Sequence, residues 1–407
     1  MPKTCIIIGA SHAAAELAPS LRQEGWDGRI LIIGDESYLP YHRPTLSKAF
    51  LSGEKSADDI LIRPEAVYEK NNIEFMLNVR VDSINRADKT ITLNNGEILD
   101  YDKLALCTGS RVRTVPLSGI DLPGIHYLRD LSQVEGIMQD VGEGKHAIIV
   151  GGGYIGLETA SVLRKLGMEV TVLEMAPRVL ARVTAPEVSE FYSRMHAEEG
   201  VTILTDVAVS GFEGDEHVSR VICSNGETLP ANLVIVGVGI LPNVEIAQDA
   251  GLEVDNGIIV DEYCLTSDPD IVAAGDCTSH PNALYNQRIR LESVPNASEQ
   301  GKSAAASICG NKIAYQALPW FWSDQFDVKL RIAGLSQGYD EVVIRGNRHE
   351  GREFTAFYLK EGKLIAADCI NTAKDFMISK ALLSKEIPVT PEALADESFD
   401  LKQLLNS

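Results

Sequence analysis

The chain has 407 residues, 45% hydrophobic and 23% charged, a balance ordinary for a soluble globular protein and enough length for about two to three domains. A net charge of −21, from 37 basic and 58 acidic residues, argues against holding nucleic acid by charge. No apolar run approaches the roughly 18 residues of a membrane span, and the first such run, residues 5–8, is too short for a signal peptide.

Residues 5–8 are apolar, as in a buried parallel strand, and lead into Gly9-x-Ser11-x-x-Ala14. Residues 30–33 form a second apolar run, followed by Asp35, placed where an acid can meet a ribose, with Glu36 the neighbouring candidate. If the strand continues there, the two side chains point to opposite faces and only one can serve. Ser11 departs from the dinucleotide fingerprint, because close approach of a pyrophosphate favours glycine at that place. Residues 38–48, YLPYHRPTLSK, form a stiff loop whose Lys48 reads, from spacing alone, as a solvated lysine. A helical piece is expected to begin across residues 61–66. Short antiparallel strands are expected over 73–99, turning at Asn94-Asn95-Gly96. Residues 102–109, DKLALCTG, then read as a buried strand ending at Thr108-Gly109.

The central stretch, residues 146–174, carries the strongest signal. An apolar strand precedes Gly151-x-Gly153-x-x-Gly156, a helix follows, and a second apolar strand ends on Glu174. Gly151 permits the tight turn, Gly153 admits a pyrophosphate to the backbone, and Gly156 lets the helix pack on the strand. The phosphates then meet a helix N-terminus. Glu174 can accept hydrogen bonds from ribose hydroxyls, and it has no adjacent arginine for a 2′-phosphate, although Arg178 is nearby. That points to NADH. Strands are expected over 203–212 and 218–223, and a helix over 186–199. Residues 232–239, NLVIVGVG, close this unit at Gly239 as DKLALCTG closes the first.

Residues 265–276, LTSDPDIVAAGD, suggest a strand delivering Asp276 to a helix start, either against a ribityl hydroxyl or as an N-cap. A helix over 295–309 follows. From residue 317 the texture changes to PWFWSDQ, alternating strands and a helix over 373–385, without a nucleotide fingerprint. The fold class is therefore α/β, with two Rossmann-like dinucleotide-binding domains and a C-terminal α+β domain. The first domain is expected over 1–110 and 242–316, the second over 111–241 and the third over 317–407. Two dinucleotide sites in one chain imply electron transfer between two dinucleotides. The seven cysteines (Cys5, Cys107, Cys223, Cys264, Cys277, Cys309 and Cys369) form no CxxC or CxxxxC pair, which suggests a reducing, cytosolic setting and no dithiol relay.

YLPYHRPTLSK, GGGYIGLE, LESVPNA, PWFWSDQ and TSDPDIVAAGD together resemble the FAD-dependent, NADH-using ferredoxin reductases of bacterial multicomponent oxygenases, across essentially the whole chain. The resemblance implies a glutathione-reductase-like flavoprotein that passes electrons from NADH through FAD to a [2Fe–2S] ferredoxin, with no metal of its own. It implies that Lys48 pairs with Glu158 beside the flavin and that Tyr154 is an aromatic gate. It also implies that Val81, Arg129, Asp276 and Val294 contact FAD. Paired tryptophans read on their own as core; the resemblance places Trp322 against the flavin and the partner. An acidic ferredoxin would need a basic patch here, with Lys302, Lys329 and Arg331 as candidates and Arg290 as a weaker one. A monomer or weak dimer is expected. The rival readings are a rubredoxin reductase, an NADH oxidase, and a flavin redox sensor of the apoptosis-inducing type.

Overall fold

The computed structural model describes residues 3–406, and the chain divides into two compact units. The first contains the chain up to His42, Ala57–Arg111 and Ile240–Pro319. Its sheet is parallel, in the order Ile271–Ala273, Lys103–Leu106, Thr4–Ile8, Arg29–Ile33, Ile73–Met76. Both faces are covered, which is why its strands read as unbroken apolar runs. Cys5 and Ile7 join Ile30 and Ile32 beneath the helices His12–Gln23 and Val294–Ile308. Ile6, Leu31 and Leu104 meet Val81, Ile84 and Ile91 of an antiparallel sheet.

One local expectation fails here. Ile73–Met76 pairs parallel with Arg29–Ile33, and only Val81–Asn85, Thr90–Leu93 and Ile98–Asp100 are antiparallel. The helix expected to begin across 61–66 starts at Glu65, because Pro64 sits at its N-cap and disfavours helical backbone at Arg63.

The second unit contains Arg43–Ser56, Val112–Gly239 and the chain from Trp320 onward. The loop carrying Lys48 thus groups with the second nucleotide fold, through contacts of its polar side chains described below. The parallel sheet runs Thr202–Leu204, Glu169–Leu173, His146–Val150, Leu233–Val236, Ile125–His126. The stretch 203–212 is two strands rather than one, because Asp206 sits at φ 59, a left-handed backbone that no strand continues through. The C-terminal part is an antiparallel sheet ordered Trp320–Gln325, Val328–Gly334, Lys363–Ile370, Phe354–Lys360, Glu341–Gly346, with the helix Ala373–Ser384. No helix among the described residues is long and apolar enough to cross a membrane.

Burial sets an acid limit on the first unit. His280 is 1% exposed, neither ring nitrogen has a hydrogen-bond partner, and desolvation pushes its pKa down to about 4. The unfolded chain therefore binds one more proton between about pH 6.5 and 4, and stability falls as pH falls through that window. Denaturant titrations at pH 7 and 5 should show His280→Phe sparing roughly 2 kcal/mol of that loss. An unchanged pH dependence would show that the imidazole is not held neutral.

Candidate functional site

In the first unit Ile8 lies opposite Ile33 and Leu106, and Leu106 opposite Ala273, so four parallel strands end on one edge. Gly9 turns there at φ 105, where a Cβ would meet the Cys107 carbonyl at 2.1 Å, so glycine is required. Ser11 is the N-cap of the following helix, its side chain does not cap, and the first turn holds no acid. Ala14 is fully buried against the sheet. Thr108 donates to the Asn243 carbonyl at 2.7 Å and Gly109 follows at φ 61.

Asp276 accepts from Ser110 at 2.8 Å. No helix starts at Asp276: it lies in a turn before the strand Thr278–Asn282, which removes the N-cap reading and corrects the expected strand-to-helix junction. A Cβ on the neighbouring Gly275 would stand 3.4 Å from Ala13 and 3.7 Å from Ala297, so this turn abuts the start of the first helix. Val294 opens the Ser293-capped helix and Val81 is buried at the start of its strand. The strand ends at Ile33, so alternation does not sort the two acids: Asp35 is exposed, whereas Glu36 is half-buried and accepts the Tyr41 hydroxyl at 2.5 Å.

The second loop repeats the plan. At Gly151, φ 111, a Cβ would lie 2.3 Å from the Gly237 carbonyl, and at Gly156 it would lie 2.2 Å from that of Gly151. Gly153 differs. A Cβ there would meet no protein atom within 4 Å, so packing does not demand glycine, whereas close approach by a pyrophosphate would. Glu174 accepts backbone N–H bonds from Gly152 and Ala176, each at 2.7 Å, which fixes its carboxylate against the loop. Gly239, at φ 107, accepts from the Arg113 amide through its carbonyl at 2.9 Å.

Glu158 lies one turn beyond Tyr154 on the helix Tyr154–Lys165 and is 1% exposed. Its Oε2 accepts from Lys48 Nζ and from Ser47, each at 2.6 Å, and its Oε1 accepts from Ser323 at 2.7 Å. Lys48 is therefore no ordinary surface lysine: it also donates to the Pro44 carbonyl, and its side chain is 21% exposed. Tyr154 packs on Phe321 with ring centroids 5.1 Å apart, and burial pushes its phenol well up. The Arg129 carbonyl accepts from Arg43 at 2.9 Å. Trp320 and Trp322 lie with centroids 5.6 Å apart, both half-buried.

Three of the four candidate docking cations are tied to carboxylates: Lys302 to Glu299, Arg331 to Asp324 and Arg290 to Glu292. Lys329 is exposed and forms no ion pair among the described residues. Ser47 and Ser323 had escaped sequence reasoning. The available signal was the period of two in PWFWSDQ, which puts the polar Ser323 and Gln325 on the same strand face as Phe321.

Two parallel nucleotide folds, each with a glycine turn and a helix N-terminus at the C-terminal strand edge, define a two-dinucleotide oxidoreductase. The chain belongs to the pyridine nucleotide-disulphide oxidoreductase family, whose model matches residues 3–301, and a reductase C-terminal model matches residues 320–405. It is 42% identical to putidaredoxin reductase CamA of Pseudomonas putida, covering 98% of this chain and 96% of that one. It is 38% identical to rhodocoxin reductase of Rhodococcus erythropolis, covering 98% and 93%. The crystal structure of the covalent putidaredoxin reductase–putidaredoxin complex superposes with a TM-score of 0.96 at 42% identity, covering 99% of this chain and 98% of that one. The disulphide in the family's description has no counterpart here, since all seven cysteines are free and only Cys309 is not fully buried.

Proposed function

We propose that this protein is the ferredoxin reductase of a bacterial oxygenase system, taking a hydride from NADH and delivering electrons singly to a [2Fe–2S] ferredoxin. The observation that carries this reading is the Lys48–Glu158 pair, 2.6 Å long, on the helix that opens from the second glycine loop. The residues present fit both cofactors. In the first unit Gly9, Ser11, Ala14, one of Asp35 and Glu36, Val81, Thr108, Gly109, Asp276 and Val294 would hold FAD; the resemblance adds Lys48, Arg129 and Trp322 as FAD contacts. Gly151, Gly153, Gly156, Glu174 and Gly239 would hold NADH. Both helix N-termini lack an acid in the first turn, so each offers its free N–H groups to a pyrophosphate.

When bound, FAD supplies a ring that accepts a hydride and releases electrons one at a time. The protein's part is orientation and electrostatics. Lys48 brings a positive charge held in place by Glu158, and Tyr154 lies on the same face of the helix, one turn earlier, where its ring would serve as the aromatic gate for a nicotinamide. Free thiols suit the cytoplasm, where we place the protein. Steady-state NADH oxidation with ferredoxin, rubredoxin or oxygen alone tests the assignment: ferredoxin should be the fast acceptor, and faster turnover with either rival would overturn it.

Glu174 should make NADH the better donor. Its carboxylate, fixed by two backbone N–H groups, would repel a 2′-phosphate and accept a 2′-hydroxyl. We expect at least about a tenfold advantage in kcat/KM for NADH over NADPH, one charge-assisted contact near 1.4 kcal/mol. Equal efficiencies would remove that role from Glu174.

A further inference from the structure

The strand Trp320–Gln325 runs along the helix Tyr154–Lys165 in matched register. Tyr154 and Glu158 are separated by four helical residues, a rise of about 6 Å. Phe321 and Ser323 are separated by two strand residues, a rise of roughly 6.6 Å. Accordingly Phe321 meets Tyr154 and Ser323 meets Glu158. The next residue on that face, Gln325, reaches the helix Pro186–Glu198, where its Oε1 lies 2.8 Å from His196 Nε2.

The donors in this chain run one way. His196 Nε2–H donates to Gln325 Oε1, because a side-chain carbonyl can only accept. Gln325 Nε2 donates to Ser323 Oγ at 3.1 Å, and Ser323 gives its hydroxyl proton to Glu158 Oε1 at 2.7 Å. His196, Gln325, Ser323 and Glu158 are all at most 1% exposed, so no bulk water competes. Aligned hydrogen bonds in such a place polarise one another. Desolvation keeps His196 neutral, its pKa pushed down to about 4, which leaves it one N–H to give. Among the described residues Ser323 is the sole partner of Oε1, while Lys48 and Ser47 share Oε2.

We infer that Ser323, oriented by Gln325 and His196, is a positioning residue that holds the Glu158 carboxylate at Lys48. It acts through Glu158 and need not touch either cofactor. The inference rests on the reading of Lys48–Glu158 as the pair that serves the flavin, and the experiment separates the two.

The test uses full-length Ser323→Ala, Ser323→Thr, Gln325→Leu and Glu158→Ala. The first readout is acylation of the Lys48 amine, followed by mass spectrometry in FAD-loaded and FAD-free protein. Ser323→Ala should raise labelling at Lys48 several-fold and leave Lys302 unchanged. The second readout is stopped-flow flavin reduction. Its limiting rate should fall roughly tenfold, the effect of one hydrogen bond to a charged group, with the dissociation constant for NADH unmoved. Ser323→Thr keeps the hydroxyl and should restore both. Gln325→Leu should move both readouts the same way by less, and it stands in if Ser323→Ala does not fold. A Ser323→Ala protein with a lowered melting temperature but normal Lys48 labelling and normal reduction rate would overturn the inference. If Glu158→Ala slows reduction while Ser323→Ala does not, the inference alone falls; if neither slows it, the reading of the pair falls too.

Discussion

Glu158→Ala is expected to slow flavin reduction by NADH on the order of a hundredfold while FAD stays bound. Removing the carboxylate leaves Lys48, Ser47 and Ser323 aimed at a space that no longer holds a charge. Breaking a buried pair in this way costs about 3–5 kcal/mol. The lower end applies, because the Lys48 side chain is 21% exposed and water screens part of its charge. Glu158→Gln keeps the shape and one acceptor and should fall between. The measurement is single-turnover absorbance at saturating NADH. A wild-type rate in Glu158→Ala would return Lys48 to the ordinary lysines of the surface.

Trp322→Ala is expected to raise the KM for ferredoxin by about thirtyfold, the scale of an interface hot spot worth 2 kcal/mol. Trp322 is half-buried beside Trp320, presenting a rigid aromatic face. Two net-negative proteins repel at long range, so a cation beside this anchor should matter. Lys329 is the best placed of the candidates because no carboxylate among the described residues pairs with it. Lys329→Glu should raise the same KM by a smaller factor that shrinks as salt is added. Arg331 and Lys302 each share their charge with a neighbouring carboxylate, so reversal there should matter less. Ferricyanide reduction, which needs no protein docking, should change little in any of these variants. Equal slowing of both acceptors would locate the damage at the flavin rather than at the docking face.

Both nucleotide folds were legible because their signals are local. An apolar run, a glycine spacing and an acid some 20 residues on all lie within one βαβ unit. The pairing of Lys48 with Glu158 was legible only through resemblance, and the contacts of Ser47 and Ser323 with Glu158 were not legible at all. Ser47 and Ser323 lie 111 and 165 residues from Glu158, and each residue type is commonplace alone. Spacing reads Lys48 as solvated because no acid near it in the chain is its partner. Alternation does not choose between Asp35 and Glu36 for a related reason: it applies only while a strand continues, and this one stops two residues before Asp35. Asp206 split an expected strand through its backbone angle, which hydrophobic patterning does not report.

The two-faced strand Trp320–Gln325 also limits what this gene can tolerate. It joins Val328–Gly334 through the tight turn Phe326–Asp327, with Gln325 opposite Val328 and Trp322 opposite Arg331. Side chains alternate with a period of two, so a single added or deleted codon before Ser323 would exchange the faces. The tryptophans would be driven against Glu158, and the serine and glutamine would be turned away from it. Point substitutions here can be graded in effect, but length changes cannot, so this hairpin should keep its length wherever the fold is reused for electron delivery.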